Sequence, residues 1–158
     1  MKKISFVICT MLIAFCTIFV SCDKKVKDAP SIKLTYNGVV KNNGDAVDVK
    51  VGEEVTINVE YDAPGLFNAI FFRIFYNHNE SFASGFDKRK SQENYPTIFL
   101  KTNYNHSEAV PFDKKTTHKV ITRTIKFEDS GDVLIKASVE DRQKDALTAD
   151  FEMKVSVR

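Results

Sequence analysis

Alternation between apolar and polar residues is the feature of this chain that most restricts its fold. The clearest run is residues 147–157, in which an apolar side chain occupies every second position. Turn residues separate further runs of this kind, which occupy residues 32–36, 47–51, 55–61, 119–127 and 133–139. A period of two places successive side chains on opposite faces of a strand, so each run predicts a strand with one buried face. No helical period follows residue 22. We therefore predict an all-β domain, a two-sheet antiparallel sandwich of 7–8 strands.

Residues 67–76 differ from these runs because they are apolar on both faces. One face carries Ile70, Phe72, Ile74 and Tyr76, and the other carries Phe67, Ala69, Phe71 and Phe75. Arg73 interrupts the second face, much as Arg123 interrupts the face shared by Ile121, Ile125 and Phe127. A strand with two apolar faces must be covered on both sides. Either the segment that follows covers the second face, or the face is an aromatic patch that binds a ligand or a partner protein.

The N-terminus has the pattern of a secretory signal. Lys2 and Lys3 precede an apolar run over residues 4–20, and Ser21 and Cys22 close that run. The lysines favour the cytoplasmic side while the apolar run enters the bilayer. A small residue before a cysteine resembles the lipobox of bacterial lipoproteins, although Phe19 stands where those proteins usually have Leu. The resemblance implies cleavage before Cys22 and a covalent lipid on its thiol.

The resulting organisation has three parts: a signal peptide at 1–21, a charged flexible tether at 22–30, and one β-domain at 31–158. Each buried CH₂ of an acyl chain contributes about 0.8 kcal/mol, so two or three chains would hold the protein on a membrane. We expect a cell-envelope location, at the outer membrane, with the leaflet and the face left open. An uncleaved N-terminal helix and an ordinary secretory signal with a chance cysteine are the alternatives.

Cysteine content agrees with a lipid anchor. The chain has three cysteines, Cys9, Cys16 and Cys22, and the first two leave with the signal. The mature chain then keeps one thiol, which cannot form an internal disulfide or a CxxC metal site. An unpaired thiol is unusual in an oxidising compartment unless it is capped, and a lipid would cap it.

Charge excludes one large class of partners. Removal of residues 1–21 takes away Lys2 and Lys3, so Lys+Arg falls from 23 to 21 while Asp+Glu stays at 21. The formal net charge therefore falls from +2 to zero. No basic surplus remains to attract nucleic acid.

Two segments resemble bacterial immunoglobulin-like modules of the PKD-like and cadherin-like group. Residues 51–59 (VGEEVTINV) resemble the entry into strand B, and residues 130–145 (SGDVLIKASVEDRQKD) resemble strand F and the turn after it. With the lipobox, the whole chain resembles small immunoglobulin-like lipoproteins common in Bacteroidetes. The antibody-type pattern of two cysteines and a tryptophan is absent. The resemblance implies a non-catalytic binding or assembly module, and we expect its partner to be another envelope protein.

Residues 77–115 are polar and irregular, with one short strand candidate at 97–101. Long loops of this kind in small domains are often functional. Our candidate ligand-binding or partner-binding residues lie in and just before this segment: Phe71, Phe75, Tyr76, Asn77, Tyr95, Tyr104 and Asn105. Tyrosine rings pack on sugars and amides read hydroxyl groups, so glycan binding for nutrient capture is the alternative to a protein partner.

Metal binding and catalysis have weaker signals. Residues 76–80 (YNHNE) and 104–108 (YNHSE) are near-copies, which makes His78 and His106 weak metal candidates. Asp132 and Asp141 bracket a strand of about nine residues, so they would lie roughly 30 Å apart and cannot share a calcium ion. The chain has no G-x-S-x-G or H-E-x-x-H motif. We predict neither an enzyme nor a cofactor, with a small enzyme or metal-binding protein as the third hypothesis.

Overall fold

The computed structural model describes residues 28–77, 97–102, 105–143 and 145–158. The predicted signal peptide, Cys22 and the start of the tether lie outside these residues. Three predicted binding or metal residues, His78, Tyr95 and Tyr104, also lie outside them, as does Asn79 beside His78. Within the described part, no helix has the length and apolar character needed to cross a bilayer.

The described residues form ten strands, each bounded by turn residues of the kind the sequence predicts. They are β1 (Ser31–Tyr36), β2 (Val39–Lys41), β3 (Ala46–Val49), β4 (Glu54–Asp62), β5 (Phe67–Tyr76), β6 (Ile98–Leu100), β7 (His106–Ala109), β8 (His118–Phe127), β9 (Gly131–Asp141) and β10 (Thr148–Val157). Every predicted run contains a strand, including the candidate at 97–101, but β3 ends at Val49 and the predicted strand residue Val51 lies exposed in the turn after it. The additional strands, β2 and β7, are three and four residues long, too short to show a period.

Two five-stranded sheets make up the domain, which confirms the predicted sandwich. Sheet 1 has the order β2-β1-β4-β8-β6, and sheet 2 has the order β3-β10-β9-β5-β7. The β1-β4-β8 and β10-β9-β5 neighbours follow the A-B-E and G-F-C neighbours of an immunoglobulin domain. Two edge pairings, β6 with β8 and β3 with β10, are parallel, so the sheets are mixed rather than purely antiparallel.

The core lies between the sheets and consists of the inward side chains of the alternating strands. In β4 these are Val55, Ile57, Val59 and Tyr61, all of them buried. Tyr61 belongs to sheet 1, but its hydroxyl donates a hydrogen bond of 3.2 Å to the carbonyl of Phe71 in sheet 2. Burial, and then the charge of Glu108, raises the pKa of Tyr61, so this hydroxyl stays a donor at any physiological pH. The buried hydroxyl of Tyr61 therefore has a hydrogen-bond partner, and this hydrogen bond joins the two sheets.

A β-bulge at the start of β5 changes which face Phe67 occupies. Phe67 pairs with Asp141, but Ala69 pairs with Glu140, so Asn68 is the extra residue. Asp141 faces the interior and Glu140 does not, and Phe67 consequently points inward, where it contacts Phe112 at a ring separation of 5.4 Å. The expectation that Phe67 shares a face with Ala69, Phe71 and Phe75 is therefore wrong, because a bulge shifts the alternation by one residue.

A buried ion pair joins the two sheets at the side where β7 and β8 face each other. Arg123 of β8 is only 7% exposed and points into the interior. Its Nη2 and Nε donate hydrogen bonds of 2.7 and 3.0 Å to Oε1 of Glu108 in β7. The Nε2 of His106 lies 3.3 Å from the other carboxylate oxygen. Burial opposes ionisation of Glu108, but hydrogen bonds from His106 and Arg123 outweigh it and hold the pKa of that carboxyl below its ordinary value.

Removing one member of this pair should cost more than replacing both. Arg123→Ala leaves a buried carboxylate without its main partner, and we expect the free energy of unfolding to fall by about 3 kcal/mol. The double variant Arg123→Met with Glu108→Leu should stay within about 1 kcal/mol of the wild type, since two apolar side chains can fill the same space. Urea unfolding followed by circular dichroism measures both. Equal losses in the two variants would contradict a desolvated ion pair.

The difference in unfolding free energy between the wild type and the double variant should depend on pH. Because the folded-state pKa of Glu108 is depressed, its stabilising contribution is complete above the unfolded-state value of about 4.5 and is lost as the pH falls through the folded-state pKa. The double variant should lack this part of the acid destabilisation.

Candidate binding surfaces

The two ends of the sandwich differ in what they carry. At one end, which we call the N-terminal pole, Ser31 pairs with Asp62, Asp62 pairs with His118, and the side chain of Gln143 donates to the carbonyl of Asp28. At the opposite end β5 finishes and β9 begins. The nine residues of β4 separate the two ends by about 27 Å.

The opposite end, which we call the loop pole, consists of Asn77, residues 101–102, Asn105 and residues 128–132. The backbone N–H of Tyr76 donates to Oδ1 of Asn105 at 3.0 Å, and the N–H of Asn77 donates to the carbonyl of Asp132 at 2.6 Å. The N–H of Thr102 donates to Oδ2 of Asp129 at 2.8 Å. That hydrogen bond lowers the pKa of Asp129. Three connections that are distant in the sequence are thus held against one another.

Tyr76 lies beneath this pole rather than on it. Its side chain is 2% exposed, and its hydroxyl donates a hydrogen bond to the carbonyl of Asp129. Burial, and then the charge of Asp129, raises the pKa of Tyr76. Gly131 packs so closely that a Cβ there would lie 2.7 Å from a Tyr76 ring carbon and 2.8 Å from Oδ1 of Asn77. No face of the ring is open to a ligand.

The predicted binding residues therefore separate into three groups. Asn77 is exposed at the loop pole, with a positive φ of 50° that asparagine tolerates, and Asn105 is half-buried beside it. Phe75 and Tyr76 are buried, and Phe71 is half-buried on the outer face of sheet 2. Tyr95 and Tyr104 are outside the described residues.

The outer face of sheet 2 carries an aromatic–guanidinium pair. The guanidinium carbon of Arg73 lies 4.5 Å from the ring centroid of Phe71. The buried Nε of Arg73 has no hydrogen-bond partner among the residues that the structure describes. Sequence reasoning treated Arg73 only as an interruption of an apolar face. The charged residue on an otherwise apolar face was the signal that Arg73 makes a specific interaction, because a half-buried charge needs a partner.

A shallow pocket of about 280 Å³ adjoins this pair. Its lining includes charged residues of both signs and two aromatic residues: Arg73, Lys136, Asp150, Glu152, Phe75 and Phe151. Lys136 is already engaged, with Nζ 2.8 Å from Oε1 of Glu152. The guanidinium of Arg73, packed over Phe71, lies at this pocket together with Ser138 and Asp150.

The structure does not favour His106 as a metal ligand. Its Nε2 contacts Glu108, and that carboxylate is held by the guanidinium of Arg123, so a positive charge already stands where a cation would bind. A different histidine, His118, lies beside two carboxylates at the N-terminal pole. No sequence pattern indicates this group, because it depends on the register between β4 and β8.

The aspartates considered for calcium have other partners: Asp132 accepts a hydrogen bond from the hydroxyl of Ser156, and Asp141 serves the turn after β9. Asp132 and Asp141 lie at opposite ends of β9, as the strand length predicts. The carboxylate of Asp141 accepts hydrogen bonds from the backbone N–H and the side-chain amide of Gln143, at 3.0 and 2.6 Å.

Comparison with known proteins adds little to this description. No protein-family model matches the chain, and no curated protein matches it. Among solved structures, the chain is similar to the CARDB domain of a Pyrococcus furiosus protein, PF1109, whose crystal structure is in complex with di-metal ions. The identity is 14% and the TM-score is 0.36, over 83% of this chain and 90% of that one. We base no argument on so distant a likeness.

Gly131 and Gly44 provide a matched test of the loop pole. Both have a positive φ, but a Cβ at Gly44 would meet no atom within 4 Å, whereas one at Gly131 would meet Tyr76 and Asn77. We expect Gly131→Ala to lower the free energy of unfolding by about 3 kcal/mol, from backbone strain and overpacking together. Gly44→Ala should cost only about 1 kcal/mol. Equal losses in urea unfolding would show that the packing around Tyr76 is not tight.

Proposed function

We propose that this protein is a lipid-anchored envelope lipoprotein whose immunoglobulin-like domain is a non-catalytic binding module for another envelope protein. The observation that carries the proposal is the Phe71–Arg73 pair on the outer face of sheet 2. Aromatic and arginine side chains are the residue types that dominate binding energy at protein interfaces. A carboxylate from a partner could form a charge-assisted pair with a guanidinium that Phe71 already holds in place.

The position of the N-terminus supports an anchored module. Asp28 lies at the N-terminal pole, where its carbonyl accepts a hydrogen bond from Gln143. The six residues before Asp28, from Cys22 to Lys27, can extend about 20 Å. An anchor at Cys22 would hold the N-terminal pole towards the membrane. The loop pole and the outer face of sheet 2 would then be presented to proteins in the surrounding compartment.

The described geometry favours a protein over a glycan. Carbohydrate sites need an accessible aromatic face, and Tyr76, one of the three tyrosines suggested for that role, has none. Phe71 remains accessible only in part, because Arg73 lies over its ring. The shallow pocket beside the Phe71–Arg73 pair suits a side chain of a partner protein better than a sugar ring.

The titratable groups with shifted pKa values also support a non-catalytic role. Glu108 is held by Arg123 and His106, and Asp129 is held by Thr102. Hydrogen bonds within the domain thus stabilise the ionised form of both carboxyls, which is what a structural role requires.

Lipidation can be tested on the full-length chain made in a Gram-negative host. We expect Cys22→Ser to leave residues 1–21 attached or to move the protein from the membrane fraction to the soluble fraction. Intact mass of the wild type should show a chain that begins at Cys22 and carries diacylglycerol. An unmodified Cys22, or a wild-type chain that retains residues 1–21, would contradict the anchor.

The partner surface can be tested with variants of the full-length protein carrying a C-terminal affinity tag. Arg73→Ala and Phe71→Ala should each reduce recovery of a co-purifying envelope protein by about tenfold or more, which is the usual cost of losing an interface hot spot. Recovery is measured by quantitative mass spectrometry after mild cross-linking of whole cells.

Phe99→Ala is the matched control for this experiment. Phe99 is 53% exposed on β6 of sheet 1, away from the outer face of sheet 2, so its loss removes a comparable aromatic ring from the wrong surface. A partner lost equally in all three variants, or in none, would contradict the proposed surface. Circular dichroism and urea unfolding establish that each variant folds.

A further inference from the structure

Glu60, Asp62 and His118 form a cluster of possible metal ligands on the outer face of sheet 1, at the N-terminal pole. One atom from each side chain lies within 4.8 Å of the others. Nδ1 of His118 is 2.8 Å from Oδ1 of Asp62, and Nε2 is 3.9 Å from Oε1 of Glu60. We propose that this cluster binds a divalent transition-metal ion such as Zn²⁺, with one imidazole nitrogen and two carboxylates as ligands.

The ligand types suit such an ion. Zinc in proteins is bound by histidine nitrogen and carboxylate oxygen at about 2.0–2.2 Å, and sites with three protein ligands complete their coordination with water. Ligand atoms in a tetrahedral site lie about 3.4 Å apart. The 2.8 and 3.9 Å distances involve different imidazole nitrogens, whereas one ligand atom from each side chain lies within 4.8 Å of the others. Rotation of these exposed side chains would bring one imidazole nitrogen and both carboxylates onto one ion. Imidazole distinguishes the site from purely carboxylate sites, which favour Ca²⁺ or Mg²⁺.

The strands hold the three side chains in one place. Asp62 and His118 are directly paired across β4 and β8, and Glu60 is two residues before Asp62 and so on the same face. The nine consecutive pairs between β4 and β8 fix this register. Ligands on paired strands are positioned more firmly than ligands on loops.

Lys33 is the cationic competitor. Its Nζ lies 3.7 Å from Oε2 of Glu60, and it projects from β1 on the same face of sheet 1. A bound metal would compete with this ammonium for Glu60. The side chains of Glu60, Asp62 and His118 are 39%, 46% and 50% exposed, which leaves room for coordinated water but gives little shielding from solvent. We therefore expect micromolar rather than nanomolar affinity.

Isothermal titration of the full-length, detergent-solubilised protein with ZnCl₂ tests the site. At pH 7.5 we expect one saturable Zn²⁺ per chain and a rise in melting temperature. His118→Ala and Asp62→Asn should each weaken binding by about tenfold or more. Lys33→Ala should tighten it, since the competing charge is gone.

Asp48→Asn is the control, because Asp48 is an exposed carboxylate on β3 of sheet 2, away from the cluster. Its Oδ1 lies 3.6 Å from Nη2 of Arg158. It should leave the affinity unchanged. Absence of saturable binding, or binding that His118→Ala does not weaken, would overturn the proposal. A Lys33→Ala variant that binds no more tightly would also count against a site that includes Glu60. The test does not depend on the lipid anchor or on a protein partner.

Discussion

The buried ion pair between Arg123 and Glu108 is the interaction on which the arrangement of the loop pole depends. β7 is a four-residue edge strand that pairs only with β5 among the described strands. Its inward side chains are polar, so burial of apolar surface cannot hold it. Arg123 supplies the link from sheet 1, and Asn105, directly before β7, is thereby placed to accept from the backbone of Tyr76. A charge buried in this way is stabilising because its partner and its hydrogen bonds are in place.

The two ends of the sandwich, the N-terminal pole and the loop pole, carry different groups. Both poles gather connections that are distant in the sequence, and the N-terminal pole also carries the start of β1 and the polar group around His118. The separation follows from strand length alone, because connections between long antiparallel strands must lie at one end or the other. A module anchored through its N-terminus would place its anchor at one end and the loop pole at the other.

The informative positions are those where the alternation is broken. Arg123 stands on an apolar face because it bridges the sheets, and Arg73 stands on another because it packs over Phe71. A strict period of two would place Phe67 on the outer face, but the bulge at Asn68 turns it inward. Each exception to a local rule marks a compensating interaction, which is where structural or binding roles are expected.

Sequence alone determined the all-β class, the strands with a clear period and the two-sheet sandwich, because the period of two is a local property of the chain. It also singled out the anomalous strand at 67–76. Tertiary structure decided that β2 and β7 exist, that Phe67 turns inward, that Phe75 and Tyr76 are buried, and that His118 lies beside Asp62. These depend on register and on contacts between residues far apart in the chain, and a one-residue shift in register moves every side chain to the other face.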